Sequence, residues 1–126
     1  MSHSVEICIK YNGTLEHLKS QVEEILGIRL SHYETGSATL RAYYGKLLTI
    51  DVELSVNNLE TDREMNFSDF QYVLSTRIGG QACVEQLLDL QVPLTNSIGA
   101  IVSSHLGVEV MVTIEVQELY ARYHGR

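Results

Sequence analysis

Between Val108 and Val116 every second residue is Val or Ile, while Glu109, Met111, Thr113 and Glu115 fill the positions between them. Successive side chains of a strand point to opposite faces, so this run dictates a strand with one apolar face. The same alternation sets Leu48, Ile50, Val52, Leu54 and Val56 against Thr49, Asp51, Glu53 and Ser55, and Val5, Ile7, Ile9 and Tyr11 against Glu6, Cys8 and Lys10. Strands of a doubly covered parallel sheet would be hydrophobic throughout. One-faced strands instead require a mostly antiparallel sheet with helices on one side, an α+β fold.

Helical spacing occurs in two regions. Thr14 caps a segment in which Leu15, Leu18, Val22, Ile25 and Leu26 form one stripe, and Gly27 ends it. Ala82, Val84, Leu87, Leu88 and Leu90 predict a second helix that Pro93 terminates. A third helix is expected from a cap at Thr95 or Asn96, with a stripe of Ile98, Ile101, Val102 and Leu106, to a stop at Gly107. From Ile28 to Val56 the period is two, and Gly36-Ser37 and Gly45-Lys46 divide that run into three strands of a meander. Tyr72, Leu74, Thr76 and Ile78 give a further strand, broken by Gly79-Gly80, and the tail from Tyr120 is expected to fray. The expected order is β-α-β-β-β-β-α-α-β, with about six strands in one sheet. At 126 residues, without a repeat or a linker, residues 1–126 form one domain.

Sixteen acidic residues stand against nine basic ones, a net charge of -7. Such a surface repels phosphate backbones, so nucleic acid is not expected as a partner. It favours encounter with a basic protein or a cationic ligand, and charge alone does not choose between them. The sheet face without helices is expected to be mostly acidic and accessible, carrying Glu6, Lys10, Asp51, Glu53, Ser75, Arg77, Glu109 and Glu115, with Met111, Tyr33 and Tyr43 as an apolar centre. Residues 57–69 form an acidic loop in which Glu60, Asp62, Glu64 and Asp69 are opposed only by Arg63, and Phe67 and Phe70 anchor its far end. The loop lacks the glycine and glutamate that a calcium loop of the EF-hand type requires in register.

Candidate chemistry is sparse. No run approaches the ~18 apolar residues of a membrane span, and the chain opens without a basic and apolar leader, so a cytoplasmic protein is expected. Cys8 and Cys83 read as buried thiols in reducing surroundings. Cys83, in the first turn of a helix after Gly79-Gly80, is the best nucleophile candidate, but His3, His17, His32, His105 and His124 are scattered and none is marked as its base. His105 suits the negative end of a helix dipole. His32 and Glu34 share a strand face without third and fourth ligands, so no metal is expected. Neither GxGxxG nor GxxxxGK[ST] occurs, so no nucleotide cofactor is expected, and GxSxG and HExxH are missing as well. The alternative to an interaction protein is a small enzyme or ligand-binding domain with a pocket near Cys83, Tyr72 and His105.

Gly45-Lys46-Leu47 leads into a strand, followed by Asn57-Asn58, the acidic loop, and Phe67-Ser68-Asp69-Phe70-Gln71-Tyr72-Val73-Leu74-Ser75. Over this middle third the chain resembles small bacterial proteins of the toxin-immunity kind. The resemblance implies a non-catalytic inhibitor that binds and occludes a basic partner, often a nuclease toxin, and it transfers no site residue. Charge alone nominates Asp51, Glu53, Glu60, Asp62, Glu64 and Asp69 as partner-binding residues, with nearby tyrosines as anchors. A homodimer through the edge of the final strand is a third reading.

Overall fold

Val5, Ile7 and Ile9 do alternate with Glu6 and Cys8 in a strand, β1 (Ser4–Ile9), and its neighbours on both sides bury all of them. The computed structural model describes residues 4–34, 41–47, 50–56, 70–78, 85–114 and 118–125. After β1 come α1 (Leu15–Leu26), β2 (Ser31–Glu34), β3 (Arg41–Leu47), β4 (Ile50–Val56), β5 (Tyr72–Ile78), α2 (Glu85–Leu106), β6 (Glu109–Ile114) and β7 (Glu118–His124). The strands make one seven-stranded sheet in the order β2-β3-β4-β5-β1-β6-β7. Every neighbouring pair is antiparallel.

The fold is therefore α+β, with both helices on one face of the sheet. The core joins Leu15, Leu18 and Val22 of α1 and Ile98 and Val102 of α2 to Val5, Ile7, Ile9, Val52, Leu54, Leu74, Val110 and Val112. Each helix ends on a glycine in the left-handed region, Gly27 at φ 67° and Gly107 at φ 66°, where residues with a Cβ are strained. The turn after α1 is tied further by Glu23, whose Oε2 accepts the Leu30 N–H at 2.8 Å. That bond, joined by Lys19, holds the Glu23 carboxyl below its usual range.

The structure departs from the sequence reading in three elements. Pro93 does not end a helix: α2 runs through it, and Pro93 faces solvent. The missing N–H costs one helical bond on the wet side. On the inner side Gln91, Thr95, Ile98 and Val102 are buried against the sheet, and their contacts hold the helix together. Thr95 is accordingly a buried mid-helix residue and no cap.

Gly45 lies inside β3 and not at a connection. A Cβ there would stand 2.7 Å from the Arg29 carbonyl oxygen and 2.9 Å from a Leu30 methyl, so glycine is set by the chain crossing beside it. The division at Gly36-Ser37 lies outside the described residues.

The tail does not fray. β7 pairs with β6 with a bulge opposite Val112 and Thr113, Tyr123 donates its hydroxyl to Asn96 Oδ1 at 2.7 Å, and the Gly125 N–H reaches Ser103 Oγ at 2.8 Å. Among the described residues no helix is long and apolar enough to cross a membrane.

Candidate functional site

The antiparallel register assembles two rows on the sheet face away from the helices. Lys46, Asp51, Arg77 and Ser4 stand in line across β3, β4, β5 and β1. Beside them run Tyr44, Glu53, Ser75, Glu6 and Thr113. The ends of these rows on β3, β4 and β5 enclose a cavity of about 370 Å³ lined by Tyr44, Asp51, Glu53, Ser75 and Arg77.

Of the nominated residues, Asp51 and Glu53 thus come together at one site. Glu60, Asp62, Glu64 and Asp69 lie outside the described residues. Tyr44, 38% exposed, supplies the aromatic wall. Tyr43, expected on this face, packs on the helix side, where Lys19 Nζ sits 5.5 Å from its ring centre. The sequence reading missed Tyr44 because a turn at Gly45-Lys46 would interrupt the alternation of β3. The signal was Gly45 itself, which continues the Tyr43-Gly45-Leu47 phase inward and leaves Tyr44 and Lys46 outward.

The charges at the cavity alternate and do not pair tightly. Lys46 Nζ is 3.8 Å from Asp51 Oδ1, too long for a hydrogen bond. That oxygen is shielded from solvent and accepts no hydrogen bond. Among the described residues neither Glu53 nor Arg77 takes part in an ion pair, although Arg77 is the register partner of Asp51. Two carboxylates and two cations therefore share this half of the face, which corrects the expectation of a mostly acidic surface.

The other half is partly closed, although Lys10 and Arg122 are exposed there. Glu6 is only 4% exposed and accepts the Thr113 hydroxyl at 3.1 Å. Met111 is buried with Cys8, Val73 and Phe70, so Phe70 belongs to the core, while Phe67, expected beside it, lies outside the described residues. The guanidinium of Arg122 lies 5.9 Å over the Phe70 ring and pairs with Glu109. Glu115 lies outside the described residues.

Behind the cavity, β5 is clamped by α2. Thr76, between Ser75 and Arg77, points to the helix side, where its hydroxyl meets Thr95 Oγ1 at 2.8 Å and the Val5 carbonyl at 3.1 Å. Gln91 Nε2 donates to the Thr76 carbonyl at 3.0 Å. All three polar side chains are buried. Buried polar groups satisfied in this way fix one geometry, and here they fix the strand that carries Ser75 and Arg77.

The alternative reading, a pocket near Cys83, Tyr72 and His105, turns on a residue outside the described ones. Cys8 is a free thiol pushed up to about 12, first by burial and then by the Glu6 carboxylate, which makes it an inert core residue. Cys83 lies outside the described residues. His105 is exposed in the last turn of α2. Tyr72 donates its hydroxyl to the Gly13 carbonyl at 2.6 Å, beside Tyr11 and its partner His17, and burial with nearby Glu16 raises the Tyr72 pKa. A second, shallower cavity of about 240 Å³ lies between α2 and β7, lined by Ser103, Ser104, Tyr123 and His124 among others. Neither cavity is lined by Tyr72 or His105. Among the described residues no three His, Cys, Asp or Glu side chains converge as a metal site.

No protein-family model matches the chain, and no curated protein matches it.

Proposed function

We propose that this chain is a non-catalytic interaction protein of the toxin-immunity kind, which binds a basic partner protein through the sheet face bearing Asp51 and Glu53 and occludes it. The observation that supports this most is the open cavity on that face. It sets two carboxylates of β4 beside an exposed tyrosine and an arginine, the arginine on a strand, β5, braced from behind by α2. Tyrosine and arginine are the residue types that anchor interfaces, and a braced site loses little freedom on binding.

Attraction over distance comes from the whole chain at net charge -7, to which the four carboxylates and one arginine of residues 57–69 contribute. At the cavity itself the charges are balanced by Lys46 and Arg77, so there the selection is geometric. On this reading the chain acts in the bacterial cytoplasm and needs no cofactor.

The test is capture from a lysate of the source organism at low salt, then co-expression of the chain with the basic protein recovered. The expected result is an equimolar complex on gel filtration at low salt and relief of that protein's toxicity. Asp51→Asn with Glu53→Gln should lower the association rate several-fold and flatten its salt dependence. No complex at low salt and unrelieved toxicity would defeat the reading.

A further inference from the structure

We propose that the outer face of α2 is a self-docking surface, on which a second copy of this chain packs its own α2 antiparallel. The proposal is independent of the binding reading above, because the helices lie on the opposite side of the sheet from Asp51 and Glu53.

Leu90, 58% exposed, and Ile101, 52% exposed, are the two most exposed large hydrophobic residues among those described. They stand three helical turns apart and so fall on one side of α2. Between them Pro93 and Ser97 are exposed and Leu94 is half-buried. Leu90, Leu94, Ser97, Ile101 and Ser104 follow one another at steps of four, three, four and three, the spacing at which one helix seams against another. No Asp, Glu, Lys or Arg occurs from Leu90 to Ser104. A helix face kept in water carries charge, as α1 does with Glu16 and Glu24 at exposed positions, whereas depletion of charge marks the centre of an interface.

The occupant follows from what this face lacks and what its ends carry. A basic protein finds no carboxylate along the stripe. A membrane surface finds no Lys or Arg anywhere on α2, and anionic headgroups repel a chain of net charge -7. A second copy fits. Turned antiparallel about a twofold axis between Leu94 and Ser97, α2 sets Leu90 against the partner's Ile101 and Leu94 against the partner's Ser97, each contact occurring twice. The same turn brings Asp89, exposed at one end of the stripe, within a helical turn of the partner's His105 at the other, and opposes the two helix dipoles. One helix pair is a small interface, below the ~1,200 Å² of standard complexes, so the dimer is weak and forms in concentrated protein.

The test is sedimentation velocity of the full chain from ~10 μM to ~1 mM, a range that detects even a millimolar Kd. The sedimentation coefficient should climb toward that of a dimer. Because two copies of the same net charge repel, raising the salt should strengthen the association several-fold, opposite to its effect on a complex with a basic protein. Ile101→Glu should weaken it about tenfold by burying a lone charge. Adding Leu90→Lys to Ile101→Glu should recover most of that loss, since only the antiparallel register sets the two changed positions face to face. Both positions are more than half exposed, so the variants should unfold at the temperature of the unaltered chain. Without any substitution, amide NMR shifts on dilution should move at residues 89–105 and stay fixed in β4 and β7.

A chain still monomeric at ~1 mM would overturn the proposal, and so would a monomer that sediments with anionic phospholipid vesicles. A dimer indifferent to Ile101→Glu, weakened by salt, or shifting β7 on dilution would place the contact elsewhere and overturn it equally. So would a double variant no tighter than Ile101→Glu alone.

Discussion

The bracing of β5 by α2 can be tested by a double-mutant cycle on the Thr76–Thr95 hydroxyl pair. The two oxygens are 2.8 Å apart and both residues are at most 1% exposed, so neither can turn to water when its partner is removed. Thr95→Val deletes one bond but leaves the Thr76 hydroxyl donating to the Val5 carbonyl at 3.1 Å, so the loss should be about 1 kcal/mol. Thr76→Val strands the Thr95 hydroxyl in the core and removes the Val5 bond as well, at a cost of about 2 kcal/mol.

Replacing both hydroxyls by methyl groups of similar shape leaves no stranded partner. The double variant should therefore lose about 1 kcal/mol less than the sum of the singles. Urea denaturation measures each corner, and in a chain of this size 1 kcal/mol corresponds to roughly 4 °C in Tm. The amides of Ser75 and Arg77, on the opposite face, should shift in both single variants. Losses that add to within about 0.3 kcal/mol, with Ser75 and Arg77 unmoved, would refute the claim that the helix braces the site from behind.

Two further outcomes follow from Cys8 in the core and Pro93 on the outer side of α2. The Cys8 thiol is pushed up to about 12, whereas in the unfolded chain it ionises near ~8.5. Between those values the native state holds a proton that the unfolded state has lost. Stability should thus be undiminished by this group below about pH 8.5 and fall above it by up to ~1.4 kcal/mol per pH unit. Cys8→Ala should show a shallower alkaline decline in urea titrations at pH 8 to 11, and identical slopes would refute the assignment. Pro93→Ala should stabilise the chain by about 2 kcal/mol, since it restores a helical N–H worth ~3 kcal/mol with the ring clash and forfeits ~1 kcal/mol of unfolded-chain restriction. A loss of stability would mean that the proline sets a bend the core requires.

The fold was legible where a single local rule governs many residues. The alternation of β1, β4 and β6 fixes both strand type and inward face, because a slip of one residue would put a whole apolar set in water. What misled was punctuation. Gly45 and Pro93 are strong local stop signals, yet one glycine is demanded by the Arg29 carbonyl from elsewhere in the chain, and the proline sits on the outer side of a helix held from within. Neither demand is visible along the sequence, because both come from residues brought close only by folding. The last strand was overlooked for a related reason: Ala121 and Tyr123 are weak apolar signals alone and become inward positions only once β6 and α2 are in place.

The site was legible in its carboxylates and not in their neighbours. Asp51 and Glu53 are outward positions of an unambiguous strand, so charge and period together were enough to place them. Which groups stand beside them is a question of cross-strand register, and register depends on where the connections fall. Moving the end of β3 from Gly45 to Leu47 exchanges Tyr43 for Tyr44 on the outer face, and only then do the ring, the two carboxylates and Arg77 surround one space. The same register sets Lys46 and Arg77 on either side of Asp51. Net charge therefore describes how a basic partner would be drawn toward this molecule, while the alternation of sign along one row decides what can enter once it arrives.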